Sequence, residues 1–325
     1  MKPLRSAAWL AFAVLAPSAQ AQVDAPAPPR RAHHALVYDA SRQAVLLAGG
    51  STPLDSGRSF RFFNDVWGFD GSRWSMLGES GDQMSGMRLV FDASAQRVVS
   101  FGGFREGSMG LLRVLDGASW RTIGDRSEAP AAEGGFVLDT RRQKFVSFGG
   151  TAGRGQFGED TWEYAGQSWR RLAISSPPAR LGHVMVYDAR RGRVVLFGGM
   201  GSAPQGSRPP LLGDTWEFDG TAWTRRDVTG PSPRHSAGGA WDSRRGVVIV
   251  FGGGGGDSAL ADTWSWDGTS WRRLADGGPP PRMMGYLAYD ARRDRVVMFG
   301  GRNGWPDGDL NDTWEWDGTA WRQVR

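Results

Sequence analysis

The sequence predicts an all-β fold built from six repeats, each with four antiparallel strands. Diglycines that follow an apolar run begin at Gly49, Gly102, Gly149, Gly198, Gly252 and Gly300, in steps of 53, 47, 49, 54 and 48 residues. A closing tryptophan stands at Trp74, Trp120, Trp169, Trp223, Trp271 and Trp321, in steps of 46, 49, 54, 48 and 50 residues. Because two independent markers keep one register, the chain carries six copies of a single unit.

Each repeat contains four strand-like segments, and the fourth repeat is the most regular. Its first segment is Val184 to Asp188, its second ends at Gly198, its third contains Trp216, and its fourth starts at Trp223. β-branched and aromatic residues bounded by Gly, Asp and Arg turns are typical of strands, and no helix-period segment of useful length competes with them. Asp-Gly pairs between the third and fourth segments indicate tight turns.

The second repeat departs most from this pattern. Arg113 stands where other third segments have tryptophan, and the opening run from Met84 to Arg88 lacks the Arg-x-Gly-His sequence of the fourth repeat. The third repeat has Ala165-Gly166 in place of Asp-Gly.

The strand, diglycine, spacer, tryptophan and closing tryptophan together resemble kelch repeats over residues 31–325. That resemblance implies a six-bladed β-propeller, related to the central domain of galactose oxidase, with four antiparallel strands per blade around a channel. The blades are predicted at about 31–75, 84–121, 131–170, 180–224, 234–272 and 282–325. Many members of the family close the ring by mixing strands from both chain ends in one blade. Here the register begins at a first strand and ends at a fourth, so each repeat is expected to form its own blade.

The amino terminus predicts export. Lys2 and Arg5 precede an apolar run, and Ala19-Gln-Ala21 fits a signal-peptide cleavage site, which gives a signal peptide at 1–21 and a proline-rich lead-in at 22–30. We therefore expect a secreted or periplasmic protein, with no membrane span in the mature chain.

The amino-acid composition limits the classes of partner and of chemistry that we expect. Removing Lys2 and Arg5 leaves 37 basic against 34 acidic residues, a balance too weak to indicate nucleic acid. The chain has no cysteine, so a noncovalent core must stabilise it and thiolate chemistry is excluded. A monomer is expected.

Function is expected at one end of the ring, called here the top face, where the connections between second and third strands and between blades lie. The connections between second and third strands vary in length, whereas the arginine-rich turns at the opposite, bottom face are short and uniform. Variable loops on a rigid scaffold commonly carry binding sites. The candidate ligand-binding residues are Arg31, His34, Arg180, His183, Arg234 and Arg282 at the entry to first strands, and Phe60, Arg61, Phe62 and Trp305 in the loops of blades one and six. Because blade six must neighbour blade one in a closed ring, the loop aromatics are expected to form one platform.

Each group also has a structural interpretation. Arginines and histidines that recur in one register can tie adjacent blades together, and the repeated aspartates that precede third strands can cap them. The bottom arginines can be a solvated face or a docking surface for an anionic partner. The loop aromatics can be local packing.

Cofactor chemistry finds little support in the sequence. Gly153 to Gly158 matches G-x-G-x-x-G but precedes a strand, so no helix N-terminus receives a phosphate. Asp307 to Asp312 resembles the start of a calcium loop but lacks its glycine and its final glutamate. A site with two histidines lacks further ligands, so no metal and no cofactor are predicted. The copper chemistry of galactose oxidase needs a cysteine-linked tyrosine, which this chain cannot form.

The sequence thus favours a propeller that binds a protein or glycan partner through its top loops. The alternative is a carbohydrate-active enzyme, since the exported sialic acid epimerases resemble this chain in repeat architecture. In that interpretation Arg31, Arg180, Arg234 and Arg282 hold a carboxylate, with Glu133, Asp82 or His183 as acid or base. A third interpretation is a structural platform in an envelope assembly.

Overall fold

Six antiparallel sheets form a closed ring in the computed structural model, which describes residues 27–81, 83–103, 110–124, 130–153, 156–164, 166–204, 206–305 and 308–325. The predicted all-β six-bladed propeller is confirmed. Within the described ranges, no helix is long and apolar enough to cross a membrane.

The strands follow the six repeats in order. Blade one contains β1 (Ala35–Asp39), β2 (Ala44–Ala48), the hairpin strands β3 (Ser51–Leu54) and β4 (Ser59–Phe62) around a 3₁₀ turn at Asp55–Gly57, then β5 (Asp65–Phe69) and β6 (Trp74–Glu79). Blade two contains β7 (Arg88–Asp92), β8 (Arg97–Phe101), β9 (Leu112–Asp116) and β10 (Ser119–Ile123). Blade three contains β11 (Gly135–Asp139), β12 (Lys144–Phe148), the short pair β13 (Thr151–Gly153) and β14 (Gln156–Phe157), then β15 (Thr161–Tyr164) and β16 (Trp169–Arg171).

The second half of the ring repeats this plan. Blade four contains β17 (Arg180–Leu181), β18 (Val184–Asp188), β19 (Arg193–Gly201), β20 (Leu211–Phe218) and β21 (Trp223–Arg226). Blade five contains β22 (Gly238–Asp242), β23 (Val247–Phe251), β24 (Thr263–Trp266) and β25 (Trp271–Ala275). Blade six contains β26 (Leu287–Asp290), β27 (Arg295–Phe299), β28 (Thr313–Trp316) and β29 (Trp321–Gln323). In blade four the second and third strands run past the diglycine, with a register shift between Phe197 and Gly199, so part of the loop at 200–213 is a strand extension.

The first strand of every blade is the innermost. First strands of neighbouring blades contact one another around the ring, and β26 contacts β1, which closes it. Every sheet is made from strands of a single repeat. The apolar cores lie between consecutive blades, as in the cluster of Leu36, Trp74 and Phe299 that joins blades one and six.

Four of the closing tryptophans, Trp74, Trp223, Trp271 and Trp321, each form a hydrogen bond to the preceding blade. Trp223 of blade four donates its Nε1 hydrogen to Thr161 Oγ1 of blade three at 2.9 Å. The same bond closes the ring, where Trp74 donates to Thr313 Oγ1 at 2.9 Å. A large buried ring therefore supplies apolar area while its polar edge is satisfied across the interface.

The bottom arginines also bridge blades. Arg142 pairs with Asp139 in its own turn, contacts Glu163, and donates to the carbonyl oxygen of Gly220 in the next blade at 3.1 Å. Gly220 has φ of 99°, and a Cβ there would lie 2.5 Å from Arg142 Nε. Arg191, Arg245 and Arg293 lie in the same way over Gly268, Gly318 and Gly71. One arginine of each of these turns is therefore part of the blade interface and not of a solvated surface.

Candidate ligand-binding cleft at the top face

The four arginines that enter first strands are internal. Arg180 Nη1 and Nη2 donate to Asp214 Oδ1 and Oδ2 at 2.7 and 2.9 Å, and Nη1 also donates to the Gly198 carbonyl oxygen at 3.0 Å. The same arrangement joins Arg31 to Asp65, Arg234 to Asp262 and Arg282 to Asp312. The side chains of these four arginines are at most 1% exposed.

The backbone of each of these arginines forms hydrogen bonds with the preceding blade. The Arg180 amide donates to the Gly158 carbonyl oxygen at 3.2 Å, and its carbonyl accepts from the Gly150 amide at 3.0 Å. Burial acts to raise the pKa of Asp214, but the hydrogen bonds and the charge of Arg180 outweigh it and lower that pKa. These residues are therefore occupied as ion-paired ties between blades, which favours their structural interpretation over ligand binding.

His34 and His183 are also buried. The His34 ring lies edge-on against Tyr286 and Phe299, with centroids 5.9 and 5.6 Å away, and His183 lies edge-on against Phe148 at 5.7 Å. Burial, then the charge of Arg31, lowers the pKa of His34 to about 3. Burial, then Arg180, lowers the pKa of His183 well below its usual value. Both rings are neutral at physiological pH and pack against apolar neighbours.

The loop aromatics of blades one and six do come together. Phe60, on the hairpin of β3 and β4, lies 5.8 Å from Trp305 and 6.3 Å from Phe62, measured between ring centroids. Phe60 is 41% exposed and Trp305 is 59% exposed. These three rings, called here the aromatic wall, present large apolar surfaces to solvent at the junction of two blades.

A buried ion pair supports the aromatic wall from below. Arg302 Nε donates to Asp309 Oδ1 at 2.6 Å, and both side chains are buried. The Arg302 guanidinium carbon lies 4.9 Å from the centroid of a Trp305 ring. Such stacking of a cation on an indole holds the ring in place. Since Asp309 neutralises Arg302, the Arg302 guanidinium is not available as an unpaired cation for a ligand in the cleft.

Polar groups from blades one, two, three and six complete the lining of the cleft. The cleft has a volume of about 290 Å³, near the lower end of the range of small-ligand pockets, and is lined by the aromatic wall together with His33, Ser51, Ser85, Glu133 and Arg302. Ser51 and Ser85 hydroxyls lie 3.1 Å apart, and Glu133 Oε2 accepts from Thr151 at 3.1 Å. Burial, then Arg302, lowers the pKa of His33 to about 4, so this imidazole is neutral.

His33 and Glu133 reach the cleft through an unusual backbone. In every blade, the residue six positions before the aspartate that ends the first strand has positive φ. These residues are His33, Gly86, Glu133, Gly182, Ser236 and Met284. The Gly86 amide donates to the His33 carbonyl oxygen at 2.8 Å, so this ring of residues links adjacent blades. Left-handed backbone at non-glycine residues costs free energy and is often kept at functional sites.

Arg61 lies apart from the cleft lining. Its side chain is exposed, and its guanidinium carbon lies 5.1 Å from the centroid of Phe63, whose ring also contacts the buried Arg31. Arg61 borders a second concavity on the outer side of blade one, together with Leu54, Met76 and Glu79.

Of the sequence-predicted site residues, the structure thus brings together Phe60, Phe62 and Trp305. It places Arg31, His34, Arg180, His183, Arg234 and Arg282 inside the protein. His33, Ser51 and Ser85 were not selected from the sequence. His33 precedes the buried His34 directly, but it has φ of 54° and is not extended as a strand residue would be. Asp82, Asp307 and the predicted signal peptide lie outside the described residues.

Comparison with known proteins agrees with this architecture. A sequence profile described as the KLHDC2/KLHL20/DRC7 Kelch-repeats domain matches residues 163–325, which is half of the chain. The chain belongs to the kelch-repeat family. Among solved structures, one titled "Structure of YjhT" is similar with a TM-score of 0.67 at 15% sequence identity, covering 92% of this chain and 99% of that one. Because that identity is low, the similarity to YjhT shows a shared fold only. None of the curated proteins matches the chain significantly.

The described residues offer no group of three or more His, Cys, Asp or Glu side chains that could hold a metal ion. The chemistry of the cleft is that of an aromatic surface facing hydroxyl, imidazole and carboxylate groups. Such a site can stack a flat apolar face and bind hydroxyl groups along its edge.

Proposed function

We propose that this kelch propeller is a binding protein whose top-face cleft, beside the loop aromatics of blades one and six, takes a neutral sugar residue of a glycan. The observation that carries the proposal is the contact between the exposed rings of Phe60 and Trp305, contributed by two neighbouring blades. One face of a pyranose ring is apolar and can stack on such a wall. Its hydroxyl groups can donate to Glu133 and exchange hydrogen bonds with Ser51 and His33 across the cleft.

A neutral ligand fits the charges better than an acidic one. The cation in the cleft, Arg302, is paired with Asp309, His33 is neutral, and Glu133 would repel a second carboxylate. An enzyme that holds a sugar acid through Arg31, Arg180, Arg234 and Arg282 would first have to break four buried ion pairs. The arrangement therefore supports binding of a neutral sugar over sugar-acid catalysis.

We further propose that the protein is exported, on the strength of the signal-like sequence that ends at Ala21, and that it acts as a monomer. A protein partner that inserts an aromatic side chain between Phe60 and Trp305 is the competing use of the same cleft. Peptide ligands therefore form an arm of the experiment.

The experiment is a thermal-shift screen of the purified protein against neutral oligosaccharides, sugar acids and aromatic peptides. We expect stabilisation by one class of neutral oligosaccharide, and loss of that shift in Trp305→Ala. Val228→Ala, which changes an exposed apolar side chain outside the cleft, is the control and should keep the shift. Stabilisation by sugar acids or peptides alone would contradict the proposal.

A further inference from the structure

The divergent second blade places a charged side chain in an otherwise apolar part of the channel. The first strands β1, β7, β11, β18, β22 and β26 line the channel mainly with apolar residues. Arg88 stands at the start of β7, where the equivalent positions of the other blades hold Ala35, Gly135, Val184, Gly238 and Tyr286. The starts of the first strands surround a cavity, called here the upper channel, whose lining includes Leu36, Phe136 and Leu287. Arg88 is the charged residue of that lining.

Arg88 uses only part of its hydrogen-bonding capacity. Its Nη1 lies 3.1 Å from the Tyr286 hydroxyl and 3.4 Å from the carbonyl oxygens of Gly86 and Met87. Within the described ranges, neither Nε nor Nη2 of Arg88 has a hydrogen-bond partner, and no carboxylate lies at ion-pair distance from its guanidinium. The buried Arg31, Arg180, Arg234 and Arg282 each have a bidentate carboxylate, so Arg88 differs from them in this respect.

The surroundings of Arg88 make an uncompensated charge costly. The cavity walls include Met87, Met185 and Leu287, which cannot solvate a cation, and the Tyr286 ring 5.0 Å from the guanidinium carbon stabilises the charge without neutralising it. A half-buried charge without a partner is destabilising unless a counterion or water neutralises it. The cavity therefore favours an anion beside the guanidinium.

A further donor faces the same cavity. The Tyr286 oxygen accepts from Arg88, which leaves its own hydroxyl hydrogen available to a ligand. His183 also contributes to the cavity wall, but both of its ring nitrogens are buried, so this imidazole is not counted as a donor.

We propose that the upper channel of the propeller binds one small monovalent anion, chloride or a short carboxylate such as formate, at Arg88 with Tyr286 as an additional donor. A single guanidinium balances a single negative charge. Phosphate or sulfate would leave excess charge against apolar walls and is disfavoured for that reason. This site lies inside the channel and is separate from the aromatic cleft.

Thermal unfolding at constant ionic strength tests the proposal, with bulky gluconate replaced stepwise by chloride or by formate. We expect the melting temperature of the wild-type protein to rise by about 2–4 °C in one of these salts. Arg88→Met keeps the side-chain length and removes the charge, so its melting temperature should not respond. Arg272→Met, which removes an exposed arginine on β25, should respond as wild type.

The ³⁵Cl line width of chloride in solutions of wild-type protein gives a second measurement that needs no variant. Binding should broaden the line, and formate should narrow it by competition at the same site. A formate-selective site would show the melting response to formate without broadening of the chloride line. The proposal is overturned if neither salt shifts the wild-type melting temperature, or if Arg88→Met responds as wild type does.

Discussion

Arg180 and Asp214 face each other across the start of blade four in a bidentate pair, with N to O distances of 2.7 and 2.9 Å. The Trp216 indole donates to Asp214 Oδ2 at 2.7 Å, so that oxygen accepts from two side chains. The Arg180 backbone forms hydrogen bonds with blade three, and Asp214 lies on the third strand of blade four. The pair therefore links these two blades.

Loss of the Asp214 charge should destabilise the propeller. In Asp214→Asn the Arg180 cation stays buried without its counterion, which we expect to lower the free energy of unfolding by about 3 kcal/mol. Asp160→Asn is the matched control, since Asp160 precedes the third strand of blade three but pairs with the exposed Arg171, at 45% and 63% exposure. Urea denaturation of both variants measures the difference. Equal stabilities would show that the buried pair contributes no more than a surface pair.

Replacing a turn glycine should cost more stability where an arginine packs against that glycine. Gly220 and Gly166 hold equivalent turns with φ of 99° and 92°, so alanine strains the backbone similarly at both. A Cβ at Gly220 meets Arg142, which Asp139 and Glu163 hold in place, whereas no described atom lies within 4 Å at Gly166. Gly220→Ala should therefore cost about 1–2 kcal/mol more than Gly166→Ala in urea denaturation. If the two variants are equally stable, Arg142 moves freely and does not clamp the turn.

The buried histidines should make stability fall in mild acid. The folded-state pKa of His34 is lowered to about 3 from 6.5, so between these values the unfolded chain binds a proton that the folded chain excludes. Stability contributed by neutral His34 is therefore full above pH 6.5 and falls by about 1.4 kcal/mol per pH unit below it. His34→Met, chosen because Met87 stands at the same position of blade two, should reduce that slope between pH 6 and 4.5. Parallel pH profiles of unfolding free energy for the two proteins would contradict this account.

The repeat register could be predicted from the sequence because diglycines and tryptophans mark every blade at one spacing. The meeting of Phe60 with Trp305 also followed, since ring closure makes blades one and six neighbours. Both inferences depend on topology, which spacing determines.

The fate of individual charges could not be predicted in this way. Arg31 and Arg88 both stand near the start of a first strand, yet Arg31 is ion-paired to Asp65, whereas Arg88 contacts neutral oxygens and the Tyr286 ring. The difference depends on which side chain reaches which partner in three dimensions. His33 was missed for a related reason, because its left-handed backbone overrides the alternation expected of a strand.

A double-mutant cycle measured by calorimetry can show whether Phe60 and Trp305 form one binding wall. The ligand is the neutral oligosaccharide that gives the largest thermal shift, titrated into wild type, Phe60→Ala, Trp305→Ala and the double variant. We expect each single variant to weaken binding by about 10-fold or more, and the double variant to lose less than the product of the two, because the rings stack on the same sugar. Wild-type affinity in both single variants would contradict the account.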